Sequence, residues 1–196
     1  MQRRLRASEP IRGRIYARFV TASPASFDHA MLLDPLVECE IVLRLDRALP
    51  PRDTPWTAAE VEAAIGAVHG GVEIAECRYP MDDLPPTPGI LADGAASGRY
   101  VLGPEIPGWR ERDLSALPVS LEIDGAIRRT GTGAEAMGHP FRVLLWLAEA
   151  LRLRGEGLAA GDLVSTGTCT GMLRPAAGQT HRARFGEGCD VAFSLT

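Results

Sequence analysis

The sequence contains no lysine and no asparagine, and all 21 of its basic residues are arginine. Chemistry that needs a lysine amine, such as a Schiff base or an amine general base, is therefore closed to it. Against those 21 arginines stand 25 acidic residues, a formal charge of -4, and no basic run extends beyond the Arg3-Arg4 and Arg128-Arg129 pairs. This balance argues against nucleic acid as a partner. Long apolar runs are missing as well: the longest, Val143 to Ala148, falls far short of the roughly 18 residues of a membrane span. The opening residues MQRRLRASEP lead into no apolar stretch of the kind a secretory signal has, so the cytoplasm is the expected compartment. Cysteine is sparse, at positions 39, 77, 169 and 189 with no C-x-x-C pair, which reads as reduced, structural cysteines rather than a disulfide frame or a zinc site. There is no G-x-S-x-G, Walker loop or dinucleotide fingerprint.

What is present is a chain of 196 residues with 45% apolar content, enough for a packed core and expected to form one catalytic-type domain over 1–196 with an irregular segment at 1–30. In VECEIVLRL, Val37, Cys39, Ile41, Leu43 and Leu45 fall on one face and Glu38, Glu40, Val42 and Arg44 on the other, the period of a strand. Thr57 followed by Glu60 forms a capping box that opens a helix with Val61, Ala64, Ile65 and Val68 along one stripe, closed by Gly70-Gly71. VEIAECRY (72–79) is then a short strand, and PMDDLPPTPG (80–89) a Pro-rich loop before a strand at 99–102. Asp124-Gly125 within 118–131 is a hairpin turn, and Pro140 opens the longest helix, with Phe141, Leu144, Leu145, Ala148 and Leu151 on one stripe and Gly155 as its stop. Strands follow in LVSTGT, THRARF and VAFSL. The prediction is an α+β fold built on a mixed, rolled β-sheet with a few packed helices.

Three groups of residues carry potential chemistry. Glu38 and Glu40, two apart on a strand, point the same way about 7 Å apart and can converge on one hard divalent cation; as a bare E-x-E they also read as solvent-facing charges. Glu73 on a neighbouring strand would complete a facial oxygen set and leave about three positions for substrate and water, with Glu76 and Asp83 as rival third ligands. The turn STGTCTG offers Ser165, Thr166, Thr168 and Thr170 as hydroxyl donors for a carboxylate, or is an ordinary strand end with a bulge. In GTGAEAMGHP, His139 at the start of the long helix can meet an anion, shuttle a proton or simply cap. His29, His69 and His181 have no companion spacing and are assigned surface or core roles.

Taken in order, VECEI, VEIAECR, ADGAASGRYVLG, GTGAEAMGHPFRVLLWLAEAL and RGEGLAAGDLVSTGTCTG resemble the fumarylacetoacetate hydrolase superfamily, in its 2-keto-4-pentenoate hydratase and 2-oxo-3-hexenedioate decarboxylase branch, from about Leu32 to Leu195. The resemblance implies the C-terminal fold of that family, and Mg²⁺ or Mn²⁺ held by Glu38, Glu40 and Glu73. It further implies a lyase of aromatic catabolism: a hydratase of a small unsaturated 2-oxo acid such as 2-hydroxypenta-2,4-dienoate, whose carboxylate and carbonyl oxygen the cation chelates. Decarboxylation of a 2-oxo-3-hexenedioate or C–C hydrolysis of a diketo acid are alternatives. Ser97 with Thr168 or Thr170 is then expected to hold the substrate carboxylate, and Glu76, Asp93 and His139 are the acid–base candidates. Partners beyond the substrate are expected to be further copies of the chain, or a related decarboxylase or hydratase. Two departures stand out: the family's N-terminal segment, with a Lys in a Gly-rich stretch, has no counterpart in the sequence, and the family's paired serines are here Ala96 and Ser97. The first of these favours a second possibility, a catalytically weak metal-binding partner subunit or remnant domain.

Overall fold

The computed structural model describes residues 9–80 and 83–196; the Arg3-Arg4 pair and part of the 80–89 loop lie outside the described residues. Among those residues the strands are β1 (Val20–Ala22), β2 (Ala25–Phe27), β3 (Leu36–Leu45), β4 (Ile65–Ala75), β5 (Arg99–Glu105), β6 (Pro118–Ile123), β7 (Ala126–Thr132), β8 (Leu163–Thr168), β9 (Thr180–Phe185) and β10 (Asp190–Leu195). The helices are α1 (Ala58–Glu62), α2 (Thr87–Ala92) and α3 (Pro140–Arg152). The expected mixed β architecture is present, as two five-stranded sheets with orders β1-β5-β4-β3-β8 and β2-β10-β9-β6-β7. In each, a short N-terminal strand runs parallel to its neighbour, β1 along β5 and β2 along β10, while the remaining pairings are antiparallel. The segment expected to be irregular thus supplies an edge strand to both sheets.

The inner faces of the sheets share one core. From β3 come Val37, Cys39, Ile41, Leu43 and Leu45, the stripe visible in the sequence, and they meet Val119, Leu121 and Ile123 of β6, Phe185 of β9 and Val191 and Phe193 of β10. Each such side chain gains roughly 1.5–3 kcal/mol on burial. Asp124 (φ 52°) and Gly125 (φ 78°) form the expected tight turn between β6 and β7. Helix α3 begins at Pro140 and buries Leu144, Ala148 and Leu151, as its stripe requires. The four cysteines are free and buried. No helix among the described residues is long and apolar enough to cross a membrane.

The helix expected from Thr57 to Gly70-Gly71 needs correction. Its capping box is there, but α1 stops at Glu62 and the chain enters β4 at Ile65. Apolar residues at 61, 64, 65 and 68 fit a helical stripe, yet Gly66, Gly70 and Gly71 would each cost a helix about 1 kcal/mol. As a strand, the same residues pair with β3 along its full length, Leu36 opposite Ala75 through Leu45 opposite Ile65. The two glycines are packing positions rather than a helix stop: a Cβ at Gly70 would lie 2.4 Å from the Phe185 ring and one at Gly71 2.5 Å from the Tyr100 hydroxyl. Because Phe185 is fully buried and has nowhere to retreat, Gly70→Ala is expected to lower the unfolding free energy by about 1–3 kcal/mol. Denaturant unfolding should show a lower midpoint with an unchanged slope; an unchanged midpoint would contradict the packing described.

Candidate metal centre

Strand β3 is buried on both faces, and the face turned away from the shared core carries Glu38, Glu40 and Val42. Antiparallel pairing puts Glu73 of β4 directly opposite Glu38, and Tyr100 of β5 directly opposite Glu73. Glu40 lies one row further on, between Gly71 of β4 and Thr168 of β8. One oxygen from each of Glu38, Glu40 and Glu73 lies within 4.8 Å of the other two. Neither rival third ligand, Glu76 or Asp83, belongs to this group. Like charges directly opposite each other weaken a sheet, and a buried carboxylate without a counter-charge is costly. Three hard oxygen donors at this spacing fit a divalent cation, which would offset both penalties.

The electrostatics follow from that crowding. Burial, and then the neighbouring Glu40, push the Glu38 carboxyl from 4.5 up to about 8. Burial raises Glu40, opposed by hydrogen bonds from Ser165, the Gly167 backbone N–H and Tyr100. Glu73, raised first by burial and then by Glu40 and Glu38, is held well above the ordinary carboxylate range. The hydroxyl-rich turn therefore serves protein carboxylates and backbone. Ser165 Oγ donates to Glu40 Oε2, and Thr168 is hydrogen-bonded to Glu38. Thr166 Oγ1 donates to the Ile41 carbonyl at 2.8 Å, and Thr170 Oγ1 accepts from Cys39 N at 3.4 Å and reaches Gly171 O at 3.3 Å. Gly167 has φ +93°, a backbone setting that favours glycine.

The other candidates spread over several places. Glu76 is buried just past the end of β4; its Oε1 accepts from Leu33 N at 2.8 Å, and its backbone N–H donates to the Ala96 carbonyl at 2.9 Å. That bond sets it beside the turn bearing Ser97, where Ala95 and Ala96 sit at φ 60° and 63°. Asp93 caps the end of α2 and pairs with Arg78 at 3.3 Å. His139 caps α3, its Nδ1 accepting from Phe141 N at 3.2 Å. Its neighbour Phe141 packs against the shared core, and His139 does not belong to the carboxylate group. His181 is a core residue stacked on Phe193 at 4.3 Å. Tyr100 and the Gly167 N–H were not singled out by the sequence, because only the register of β4 against β5 and the turn of β8 bring them to Glu40.

A mixed double sheet carrying this triad of carboxylates, two buried and one half-buried, could hold a hard divalent cation. The chain belongs to the fumarylacetoacetate hydrolase family: the family described as fumarylacetoacetate (FAA) hydrolase C-terminal matches residues 23–194. It is 31% identical over 185 residues to 2-keto-4-pentenoate hydratase of Burkholderia vietnamiensis (strain G4 / LMG 22486), covering 94% of this chain and 70% of that protein. It is also 31% identical over 191 residues to a 4-oxalocrotonate decarboxylase of Pseudomonas sp, covering 96% and 72%. Among solved structures it resembles 4-oxalocrotonate decarboxylase from Pseudomonas putida G7 complexed with magnesium and adipate, with TM-score 0.89 and 28% identity over all of this chain and 73% of that one. The same enzyme complexed with calcium and acetate gives TM-score 0.87.

The raised Glu38 carboxyl has a thermodynamic signature in the ion-free protein. Between 4.5 and about 8 the folded protein keeps a proton that the unfolded chain has released, so stability falls as pH rises through this window. Melting temperatures in a chelator should decline from pH 5 to pH 8, and Mg²⁺ should restore stability more at pH 8 than at pH 5, because protons compete with the ion. A melting temperature that rises with pH across this window, with no Mg²⁺ effect, would contradict the assignment.

Proposed function

We propose that the chain is a metal-dependent hydro-lyase that hydrates a small unsaturated 2-oxo acid such as 2-hydroxypenta-2,4-dienoate, with Glu38, Glu40 and Glu73 holding Mg²⁺ or Mn²⁺. The observation that carries this reading is the convergence of the three carboxylates in a chain of this family with hydratase relatives. The ion supplies, when bound, a Lewis acid for the carboxylate and C2 oxygen of the substrate. Ser97 donates its hydroxyl to the substrate carboxylate, and Thr168 turns its single proton to it from Glu38 once the ion takes that carboxylate. Thr170, engaged with Cys39 and Gly171, fixes the loop that presents Thr168. Glu76, beside Ser97, is the acid–base group: it delivers a proton to C5 of the dienol and takes the one the 2-hydroxyl releases, then takes a proton from the water that adds at C4 and returns it to C3, leaving the 2-oxo acid. Asp93, neutralised by Arg78, supports that region of the chain.

Decarboxylation of a 2-oxo-3-hexenedioate on the same carboxylates is the second reading, favoured by the likeness to 4-oxalocrotonate decarboxylases. The ultraviolet absorbance of 2-hydroxypenta-2,4-dienoate separates the two. An EDTA-sensitive decay restored by Mg²⁺ or Mn²⁺, and abolished in Glu38→Gln and Glu73→Gln, is expected. Glu76→Gln should slow it by about 10²- to 10⁴-fold while ion binding persists. No decay of the dienoate with metal-dependent release of CO₂ from 2-oxo-3-hexenedioate would move the assignment to the decarboxylase, and ion binding with neither reaction would leave the weak partner subunit.

We also infer that the protein assembles with further copies of itself. β7 lies at the edge of its sheet with Ala126 to Thr130 exposed, an open row of backbone donors and acceptors. Light scattering is expected to give a mass of at least twice 21.0 kDa; a mass of one chain at all concentrations would remove this inference.

A further inference from the structure

We propose that Ser165 and Tyr100 act as positioning residues that set the ionic preference of the carboxylate cluster, by holding one oxygen of Glu40 out of the coordination sphere. The proposal deepens the functional reading above and rests on the cluster binding a divalent ion. Ser165 Oγ donates to Glu40 Oε2, and the Tyr100 hydroxyl lies 2.7 Å from Ser165 Oγ. A serine hydroxyl has one proton to give. With that proton on Glu40, the Tyr100 hydroxyl is shared between Ser165 Oγ and the Glu40 carboxylate, so both hydroxyls converge on Glu40. Glu40 and Tyr100 are shielded from water, each being 3% exposed, so no solvent competes for these bonds.

The fold is arranged to keep these hydroxyls in place. Tyr100 stands on β5, with β4 between it and β3, and its hydroxyl reaches the far side because Gly71 leaves the intervening surface flat. A Cβ there would lie 2.5 Å from the hydroxyl and 2.6 Å from Cε1. A bulge between Glu40 and Val42 in the pairing of β3 with β8 accompanies the turn of β8 that directs Ser165 and the Gly167 N–H to Glu40. With Oε2 engaged by Ser165, Glu40 would offer an ion its other oxygen rather than both. Mg²⁺ and Mn²⁺ suit compact octahedral shells of singly bound carboxylates, whereas Ca²⁺ takes more oxygens at longer range and accepts both oxygens of one carboxylate. A Glu40 restricted to one oxygen therefore favours the smaller ion.

Isothermal titration of the chelator-treated protein with Mg²⁺ and, separately, Ca²⁺ tests this without relying on turnover. Ser165→Ala should weaken Mg²⁺ binding by about 10- to 100-fold while Ca²⁺ binding holds or tightens, so that the preference for Mg²⁺ shrinks. Tyr100→Phe, which keeps the buried ring, should shift the ratio in the same direction by less, and Ser165→Thr, which keeps the hydroxyl, should retain the wild-type ratio. Equal loss of both ions in Ser165→Ala and Tyr100→Phe would overturn the proposal, since the hydroxyls would then only prop the strand. Wild-type protein that binds neither ion would overturn the metal reading itself, and this proposal with it.

Discussion

The structure turns on an unfavourable contact. Glu38 and Glu73 face each other across two paired strands, and Glu40 stands one row away, with Glu38 and Glu40 buried and Glu73 half-buried. A sheet does not adopt this arrangement for its own sake. It is tolerated because the opposite face of the same strands is a continuous apolar surface, with Val37, Cys39, Ile41 and Leu43 of β3 beside Val68, Val72 and Ile74 of β4 in the shared core. The register that buries those side chains also forces the carboxylates together, since residues on one strand alternate between its faces. Hydrophobic packing on one side thus holds a charge cluster on the other in a geometry it would otherwise relax, which is the condition a pre-organised ion site requires.

The sequence makes much of this legible, and its failures are informative. The alternation in VECEIVLRL, the Asp124-Gly125 turn and the stripe of α3 each have a strong local signal, and each is found where expected. The stretch from Ile65 to Gly71 does not: its apolar spacing suits either period, and long-range pairing with β3 decides for strand. Glu73 was placed on a strand from its local pattern, yet its position opposite Glu38 depends on that same pairing. The hydroxyls of STGTCTG were visible as donors for a carboxylate, but their partner was not, and Ser165 proves to serve Glu40. Tyr100 lies in an unremarkable strand motif and gains its place only through the register of β5.

The neighbourhood around the cluster divides into parts with different mechanical character. Glu40 is held by donors from β5 and β8, so it has little freedom to reorient. Glu38 has Thr168 as a hydrogen-bond partner, and for Glu73 the influences are burial and the two other carboxylates. Ser97 sits beyond the strands, on a turn with two alanines in left-handed backbone, a strained setting for a residue with a Cβ, and Glu76 lies beside that turn, just past the end of β4. The three carboxylates stand on regular sheet, whereas Ser97 and Glu76, the groups proposed for substrate and proton, stand beyond it, a division that separates what must be fixed from what must suit a particular substrate.

Gly70 and Gly71 are adjacent, but they answer to opposite sides of one strand: the first gives room to Phe185 in the core, the second to Tyr100 over the carboxylates. At this point β4 is only as thick as its backbone, and a single peptide unit separates the interior of the molecule from its chemistry. A side chain is therefore costly at either position, each for a different reason. A side chain at the first would need room from both Phe185 and Cys189, and one at the second from both Tyr100 and Val42. This short stretch is a bottleneck that ties the packing of the core to the geometry of the carboxylate face.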